Sequence, residues 1–124
     1  MLLGIGDDCA LLQPPAGKTL AVSIDTLVAG RHFPTQTAAG DIAYKSLAVN
    51  VSDLAAMAAE PAFFLLSLTL PEADEDFLAE FSAGLFEAAA EFGIQLVGGD
   101  TCKGSLSITI QVNGYVLNGA YLVR

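Results

Sequence analysis

The chain has 124 residues, of which 53% are hydrophobic and 15% charged, and 14 acidic side chains against 5 basic ones give a net charge of −9. That composition is typical of one globular domain with its own core, and it excludes a disordered chain. The acidic balance argues against binding to nucleic acid or to an anionic membrane, because both need clustered lysine and arginine. It leaves phosphate ligands open where metal ions supply the positive charge.

The sequence also limits where the protein works. No apolar run reaches the roughly 18 residues of a membrane span, and the first residues lack the basic and apolar regions of a signal peptide. Cys9 and Cys102 lack CxxC spacing and are too few for a disulfide framework, so we expect free thiols in a cytoplasmic protein. Strand-like sequence continues to Arg124 without a stop signal, which indicates a domain taken from a longer chain.

Two short strands are predicted near the start of the chain. Residues 9–12 follow a turn-like Gly-Asp-Asp lead, and residues 14–18 form the next turn, because proline fixes φ and glycine accepts a positive φ. Residues 19–24 alternate apolar with polar side chains, which predicts a strand that pairs with the first as a hairpin. This strand ends at Asp25, and the long loop behind it carries the only histidine, His32. Long loops in compact domains are often functional.

A helix is predicted over residues 39–59, with Thr37 as its candidate cap. Asn50 and Asp53 lie three positions apart and therefore share one stripe of this mostly apolar helix. An acid in such a place is costly unless it is paired, hydrogen-bonded or metal-bound. Residues 63–70 begin apolar on both faces, which indicates a central strand or one covered by a partner subunit.

A second helix is predicted after Asp74, a good N-cap residue, and Gly93 is expected just past its end. A short strand over residues 94–97 then runs into Gly98-Gly99-Asp100-Thr101, and residues 106–116 alternate clearly enough to predict a long strand. The order β-β-α-β-α-β-β predicts an α+β fold of two layers, in which the helices cover one face of a mixed sheet.

Aspartates recur beside glycines, at strand ends and on the stripe of the first helix. Aspartate oxygens suit Mg²⁺, a hard cation, and several acids on separate segments allow more than one ion to sit beside a polyphosphate. Gly98 and Gly99 leave their backbone N–H groups open to a phosphate. Our central hypothesis is that the acids converge on one divalent-metal and polyphosphate site. These acids are Asp7, Asp8, Asp25, Asp53 and Asp100.

Each of these signals also has an ordinary structural interpretation. A Gly-Asp pair is often a simple turn, Asp53 fits a buried acid bonded to backbone, and His32 fits a structural or exposed histidine. The plainest alternative is therefore an acidic α/β domain with turn aspartates and no site.

Four segments in combination resemble the thiamine-monophosphate kinase family, which belongs to the superfamily of the aminoimidazole ribonucleotide synthetases. They are GIGDDCALL from residue 4, SIDTLVAGRHF from residue 23, AYKSLAVNVSDLAAM from residue 43 and GGDT from residue 98. The likeness covers nearly the whole chain in the same order and spacing. It implies that residues 1–124 are a single N-terminal ATP- and Mg²⁺-binding domain of a longer kinase, whose C-terminal domain is absent from this sequence.

The roles of the family's residues carry over by position. The resemblance implies magnesium ligands, an ATP site and a histidine, His32, that contacts thiamine monophosphate. Position 24 would contribute to the metal through its backbone, and this chain has Ile24 where relatives often have threonine. The implied magnesium ligands are Asp8, Ser23, Ile24, Asp25, Asp53 and Asp100, and the implied ATP contacts are Gly99, Asp100 and Arg124.

The resemblance implies that the γ-phosphoryl group of ATP moves directly to thiamine monophosphate, with Mg²⁺, to give thiamine diphosphate and ADP. It also implies a homodimer in which the sheets of two such domains close into a barrel. The apolar strand and the uncovered sheet face give independent reason to expect a partner subunit. We expect the isolated chain to be inactive. Two alternatives stay open, namely a non-catalytic dimerisation or metal-binding module and another ATP-dependent member of the superfamily.

Overall fold

Residues 9–117 are described by a computed structural model, in which a four-stranded mixed sheet carries two helices on one face. The elements are β1 (Lys18–Val28), α1 (Ala39–Ala56), β2 (Glu60–Leu70), α2 (Glu75–Phe92), β3 (Gln95–Lys103) and β4 (Ser107–Leu117). The strand order is β1-β4-β2-β3; β4 runs antiparallel to β1 and β2, and β2 runs parallel to β3. The predicted α+β fold and the central position of β2 are confirmed. Neither helix has the combination of length and apolarity that a membrane span needs.

The predicted first strand and its hairpin are wrong. Residues 9–17 contribute no strand to the sheet, and β1 pairs along its whole length with β4, from Lys18 opposite Leu117 to Val28 opposite Ser107. A four-residue segment followed by two prolines offers few backbone donors, because proline has no N–H. The long strand β4 offers hydrogen-bond partners along the whole length of β1, so β1 pairs with β4 instead of with residues 9–12.

Both edge strands are longer than predicted, so two site acids lie inside strands instead of in loops. β4 supplies a partner for each residue of β1 beyond Asp25, which itself lies opposite Ile110. In β3, Asp100 lies opposite Ser67 of β2. A Cβ on Gly99 would lie 1.8 Å from the carbonyl oxygen of Leu66, so β3 can approach β2 here only because residue 99 is glycine.

The two helices begin in different ways. Asp74 caps α2 as predicted, since its carboxylate accepts hydrogen bonds from the backbone N–H groups of Asp76 and Phe77, and Gly93 ends the helix with φ 66°. No side chain of the preceding loop caps α1, so the prediction for Thr37 is wrong. The cap comes from the other helix, because Glu80 Oε2 accepts the N–H of Ala39 at 3.2 Å.

The core lies between the helices and one face of the sheet. That face presents alternate residues of the central strands, including Phe64, Ile108 and Ile110, which are fully buried. The helices meet at backbone distance, where a Cβ on Gly84 would lie 2.5 Å from the carbonyl oxygen of Gly40. The other side of the sheet, which we call the open face, carries exposed apolar side chains on β1. They are Leu20, Val22 and Ile24, at 44%, 53% and 63% exposure.

Candidate metal and phosphate site

An acidic cluster forms where β1 meets α1. Side chains alternate along a strand, and Asp25 lies opposite the buried Ile110, so Ser23 and Asp25 face the helices. Asp53 of α1 reaches them, since Ser23 Oγ donates a hydrogen bond to Asp53 Oδ2 at 3.2 Å. Asp25 lies near enough to Asp53 for the two carboxyl groups to interact. The cluster therefore holds two carboxyl groups and a hydroxyl within mutual reach.

The electrostatics of this cluster favour a cation. Partial burial raises the pKa of Asp25, and the nearby carboxyl group of Asp53 and its negative charge raise it further, while His32 acts in the opposite direction. Two carboxylates so close repel each other when both are ionised. A hard divalent cation between them would remove that repulsion, and carboxylate and hydroxyl oxygens are the ligands such ions prefer. The donor set therefore fits Mg²⁺.

His32 lies beside this cluster in a turn that follows β1. The backbone N–H of Val28 donates to His32 Nδ1 at 2.9 Å, so the neutral ring carries its proton on Nε2. A cavity of about 250 Å³ adjoins the ring. It is lined by Asp25, Thr26, Leu27, His32, Lys45 and Val49.

Gly99 and Asp100 lie on the open face, at the other edge of the sheet. One row of register partners crosses that face: Asp100, Ser67, Thr109 and Thr26. The two threonine hydroxyls of the row are hydrogen-bonded at 2.7 Å. A cleft of about 270 Å³ runs along it, lined by Ile24, Leu65, Leu66, Ser67, Gly99, Asp100, Thr109 and Gln111. Three strand spacings, roughly 14 Å, separate the two edges.

The structure therefore brings together some of the predicted site residues and separates others. Ser23, Asp25 and Asp53 meet, with His32 beside them. Asp100 is on the opposite face and edge, and Ile24 points away from its neighbours because strand side chains alternate. Within residues 9–117 no three acidic, histidine or cysteine side chains are placed to hold one metal ion. The hypothesis of convergence within one chain is thus not met by these residues.

Three of the acids and bases named from the sequence fall outside the residues that the structure describes. They are Asp7, Asp8 and Arg124.

Sequence reasoning missed Lys45, whose ammonium donates a hydrogen bond to the carbonyl oxygen of His32 at 2.6 Å. A signal was present in the sequence. Lys45, Val49 and Asp53 recur every four residues and so share one stripe of α1. The stripe that carries the acid therefore also carries the lysine and the apolar wall of the histidine cavity.

The fold agrees with a known class of protein. The chain belongs to the family of AIR synthase related proteins, whose N-terminal domain model matches residues 6–117. This confirms the superfamily that the four sequence segments predicted.

Individual relatives within this class are thiamine-monophosphate kinases. The one from Escherichia coli K12 is 55% identical over 122 residues, which is 98% of this chain and 38% of that protein. The crystal structure of thiamine-monophosphate kinase from Stenotrophomonas maltophilia K279a is 54% identical with a TM-score of 0.92, and the match covers 98% of this chain and 38% of that one. A structure of AaThiL complexed with AMPPCP and TMP is 30% identical with a TM-score of 0.79, covering 91% and 37%. The chain thus spans well under half the length of these relatives.

Proposed function

We propose that this chain is the N-terminal domain of a cytoplasmic thiamine-monophosphate kinase, which transfers the γ-phosphoryl group of ATP to thiamine monophosphate. The observation that carries the proposal is the contact of Asp25 with Asp53, beside Ser23 and the cavity of His32. Support comes from the relatives, which match almost the whole chain and bear that enzyme's name. One of them is a complex with AMPPCP and TMP.

The proposed magnesium ligands are the residues implied by position in the sequence. Ser23, Asp25 and Asp53 supply three oxygen-bearing side chains from two elements, and position 24 lies between two of them on β1. Asp8 and Asp100 would complete the set, and Gly99 with Arg124 would contact the nucleotide. Bound Mg²⁺ neutralises phosphate charge and aligns the groups that react.

The residues of the chain suit a direct transfer between two phosphates. The acceptor phosphate has a second pKa near ~6 and is already an anion at neutral pH, so the reaction requires no general base. The main barrier is the approach of two anions, and the acidic cluster acts by holding the cations that offset it. His32 offers Nε2–H as a hydrogen-bond donor to the acceptor, since its Nδ1 is already occupied. With a chirally labelled γ-phosphate we expect inversion at phosphorus, whereas retention would contradict direct transfer.

The same proposal includes a homodimer, because the open face is apolar and the two groups of acids lie at opposite edges of one sheet. Two copies with facing sheets, related by a twofold axis parallel to the strands, place β1 of one beside β3 of the other. Each Asp25–Asp53 pair would then meet the Gly99–Asp100 segment of the second copy. Closure of the sheets into a barrel would also cover Leu20, Val22 and Ile24.

The direct test is turnover by the full-length protein that contains this chain, with ATP, Mg²⁺ and thiamine monophosphate. We expect thiamine diphosphate and ADP in equal amounts, and no turnover by the 124-residue chain alone. Turnover of a different acceptor only would favour another ATP-dependent member of the superfamily. ATP hydrolysis by the isolated chain would contradict the expected inactivity of this domain.

Calorimetry separates the proposal from a domain without a site. The full-length protein is titrated with Mg²⁺ and an ATP analogue, and Asp25→Ala and Asp100→Ala are compared with the wild type. Loss of binding heat in both variants supports the site, while equal heats in all three proteins would favour an acidic α/β domain with turn aspartates and no site.

A further inference from the structure

We propose that Lys45 is a positioning residue for the acceptor substrate, because it holds the turn of His32 against α1 so that the imidazole lines the cavity. This inference rests on the proposed function. It concerns a residue to which neither the sequence motifs nor the comparisons give a role, and it acts through His32 instead of through the metal ligands.

The turn of His32 is closed by hydrogen bonds to the end of β1. The backbone N–H groups of Arg31 and His32 both donate to the carbonyl of Val28, at 3.2 and 3.0 Å. The N–H of Val28 donates in return to His32 Nδ1 at 2.9 Å. These bonds fix the ring relative to β1, but they do not tie the turn to the helix layer.

Next to His32, Phe33 is buried in the core, and Lys45 adds a hydrogen bond between the turn and α1. Its ammonium donates to the carbonyl oxygen of His32 at 2.6 Å across the gap between α1 and the turn. Among residues 9–117 this carbonyl is the one hydrogen-bond partner of the ammonium, and the ion pair in that range joins Lys18 to Glu60 instead. The chain has a net charge of −9, yet among the carboxylates of residues 9–117 none pairs with this lysine, which is bonded to a backbone carbonyl.

The position of this contact predicts which substrate it affects. Lys45 and His32 line the same cavity of about 250 Å³ as Asp25. The residues proposed for the nucleotide, Gly99 and Asp100, line a separate cleft on the open face. Loss of the contact should therefore weaken binding of the acceptor and leave binding of ATP unchanged.

The test uses steady-state kinetics of the full-length protein with thiamine monophosphate and ATP varied separately. For Lys45→Met we expect the KM for thiamine monophosphate to rise about tenfold, as for the loss of one hydrogen bond to a charged group. The kcat and the KM for ATP should stay within about twofold of the wild type. Lys45→Arg keeps donors in place and should recover most of the loss, and Lys18→Met, which removes a lysine at the far end of β1, is the matched control.

A double variant shows whether Lys45 acts through the imidazole. Once His32→Ala has removed the ring, Lys45→Met should add less than about twofold to the KM for the acceptor, because coupled residues are not additive. Lys45→Gln replaces Lys45→Met if the latter fails to fold.

Each other outcome contradicts the inference. An unchanged acceptor KM, equal rises for both substrates or full additivity with His32→Ala would overturn the role of Lys45 while leaving the kinase assignment intact. No turnover by the wild-type protein would overturn the assignment itself, and this inference with it.

Discussion

The acids on the two faces of the sheet have different surroundings. On the helix-covered face, Asp25 lies near Asp53 of α1, and the charge of Asp53 raises the pKa of Asp25. On the open face, Asp100 lies beside Ser67 in a cleft that Ile24 also lines. The covered face therefore holds a cluster formed within one chain, whereas the open face holds an acid whose proposed partners belong to a second copy. Because side chains alternate between the faces of a strand, residues that the sequence analysis assigned to one site lie on opposite faces of the sheet.

The largest expected effect is a loss of activity that tests whether the proposed site is shared by two subunits. In the full-length protein, Asp25→Asn and Asp100→Asn should each lower kcat/KM by at least about 100-fold, the upper range for changes around a metal site. If each site takes β1 from one subunit and β3 from the other, mixed dimers of the two variants contain one intact site. Random mixing should then recover about one quarter of the wild-type activity.

The control for this experiment is the double variant, which carries both changes in one chain and should stay inactive after mixing with either single variant. If the mixture of single variants recovers no activity, the acids act within one chain, and the proposal of a site shared between subunits is wrong.

The next effect concerns the open face itself. Val22→Glu places a carboxylate in the middle of the apolar surface, where Val22 is 53% exposed in one chain. Burial of an unpaired charge costs about 3–5 kcal/mol, so the dissociation constant of the proposed dimer should rise at least about 100-fold. Sedimentation of the 124-residue chain at micromolar concentration measures this.

Phe86→Glu is the matched change in the helix layer. Phe86 is 55% exposed on α2 and should tolerate the charge without loss of the dimer. Equal dissociation of both variants, or a wild-type chain that is already monomeric, would remove the argument from the open face.

A smaller effect tests how closely the covered side is packed. A Cβ on Gly84 would lie 2.5 Å from the carbonyl oxygen of Gly40, so Gly84→Ala must separate the helices. Overpacking of this kind lowers the free energy of unfolding by about 1–3 kcal/mol. Gly40→Ala is the control, because its Cβ would meet the carbonyl oxygen of Glu80 at an ordinary 3.5 Å. Urea unfolding should place Gly40→Ala within about 1 kcal/mol of the wild type, and equal losses in both variants would contradict the close crossing.

The smallest effect is a dependence of the free energy of unfolding on pH, which arises from the acids of the helix-covered face. The raised pKa of Asp25 means that the folded chain binds more protons than the unfolded chain. The free energy of unfolding therefore falls with rising pH in the range immediately above about 3.9, the ordinary pKa of an aspartate. Asp25 therefore stabilises the fold fully below a pH of about 3.9, and this stabilisation is lost once the pH exceeds the pKa of Asp25 in the folded chain.

In urea titrations without metal, Asp25→Asn should flatten this part of the pH profile. Asp100→Asn, which removes one carboxyl from the opposite face, is the control. An identical slope in the wild type and Asp25→Asn would show that the pair of acids does not contribute to the pH dependence of stability.

The sequence predicted the parts of the fold that depend on local patterns. Asp74 and Gly93 bound α2 as expected, because caps act through neighbouring backbone groups. The hairpin failed because β1 has a better partner about 90 residues away in β4, a non-local choice that periodicity does not report. The chemical type of the site was predictable from its aspartates, but its separation onto two faces was not. That separation follows from the length of β3, which depends on the close approach of Gly99 to β2.

The cap that Glu80 gives to Ala39 has a consequence for how the domain folds. An α1 without a local cap gains its first-turn partner only when α2 has docked, and most of the stability of helices in proteins comes from tertiary packing. α1 carries Asp53 and Lys45, so the proposed cation ligand and the lysine that positions His32 take up their places in the same cooperative step that joins the helices. A nascent chain that emerges with α1 but without α2 therefore has the ligand-binding sequence and lacks the ordered scaffold that would make it selective.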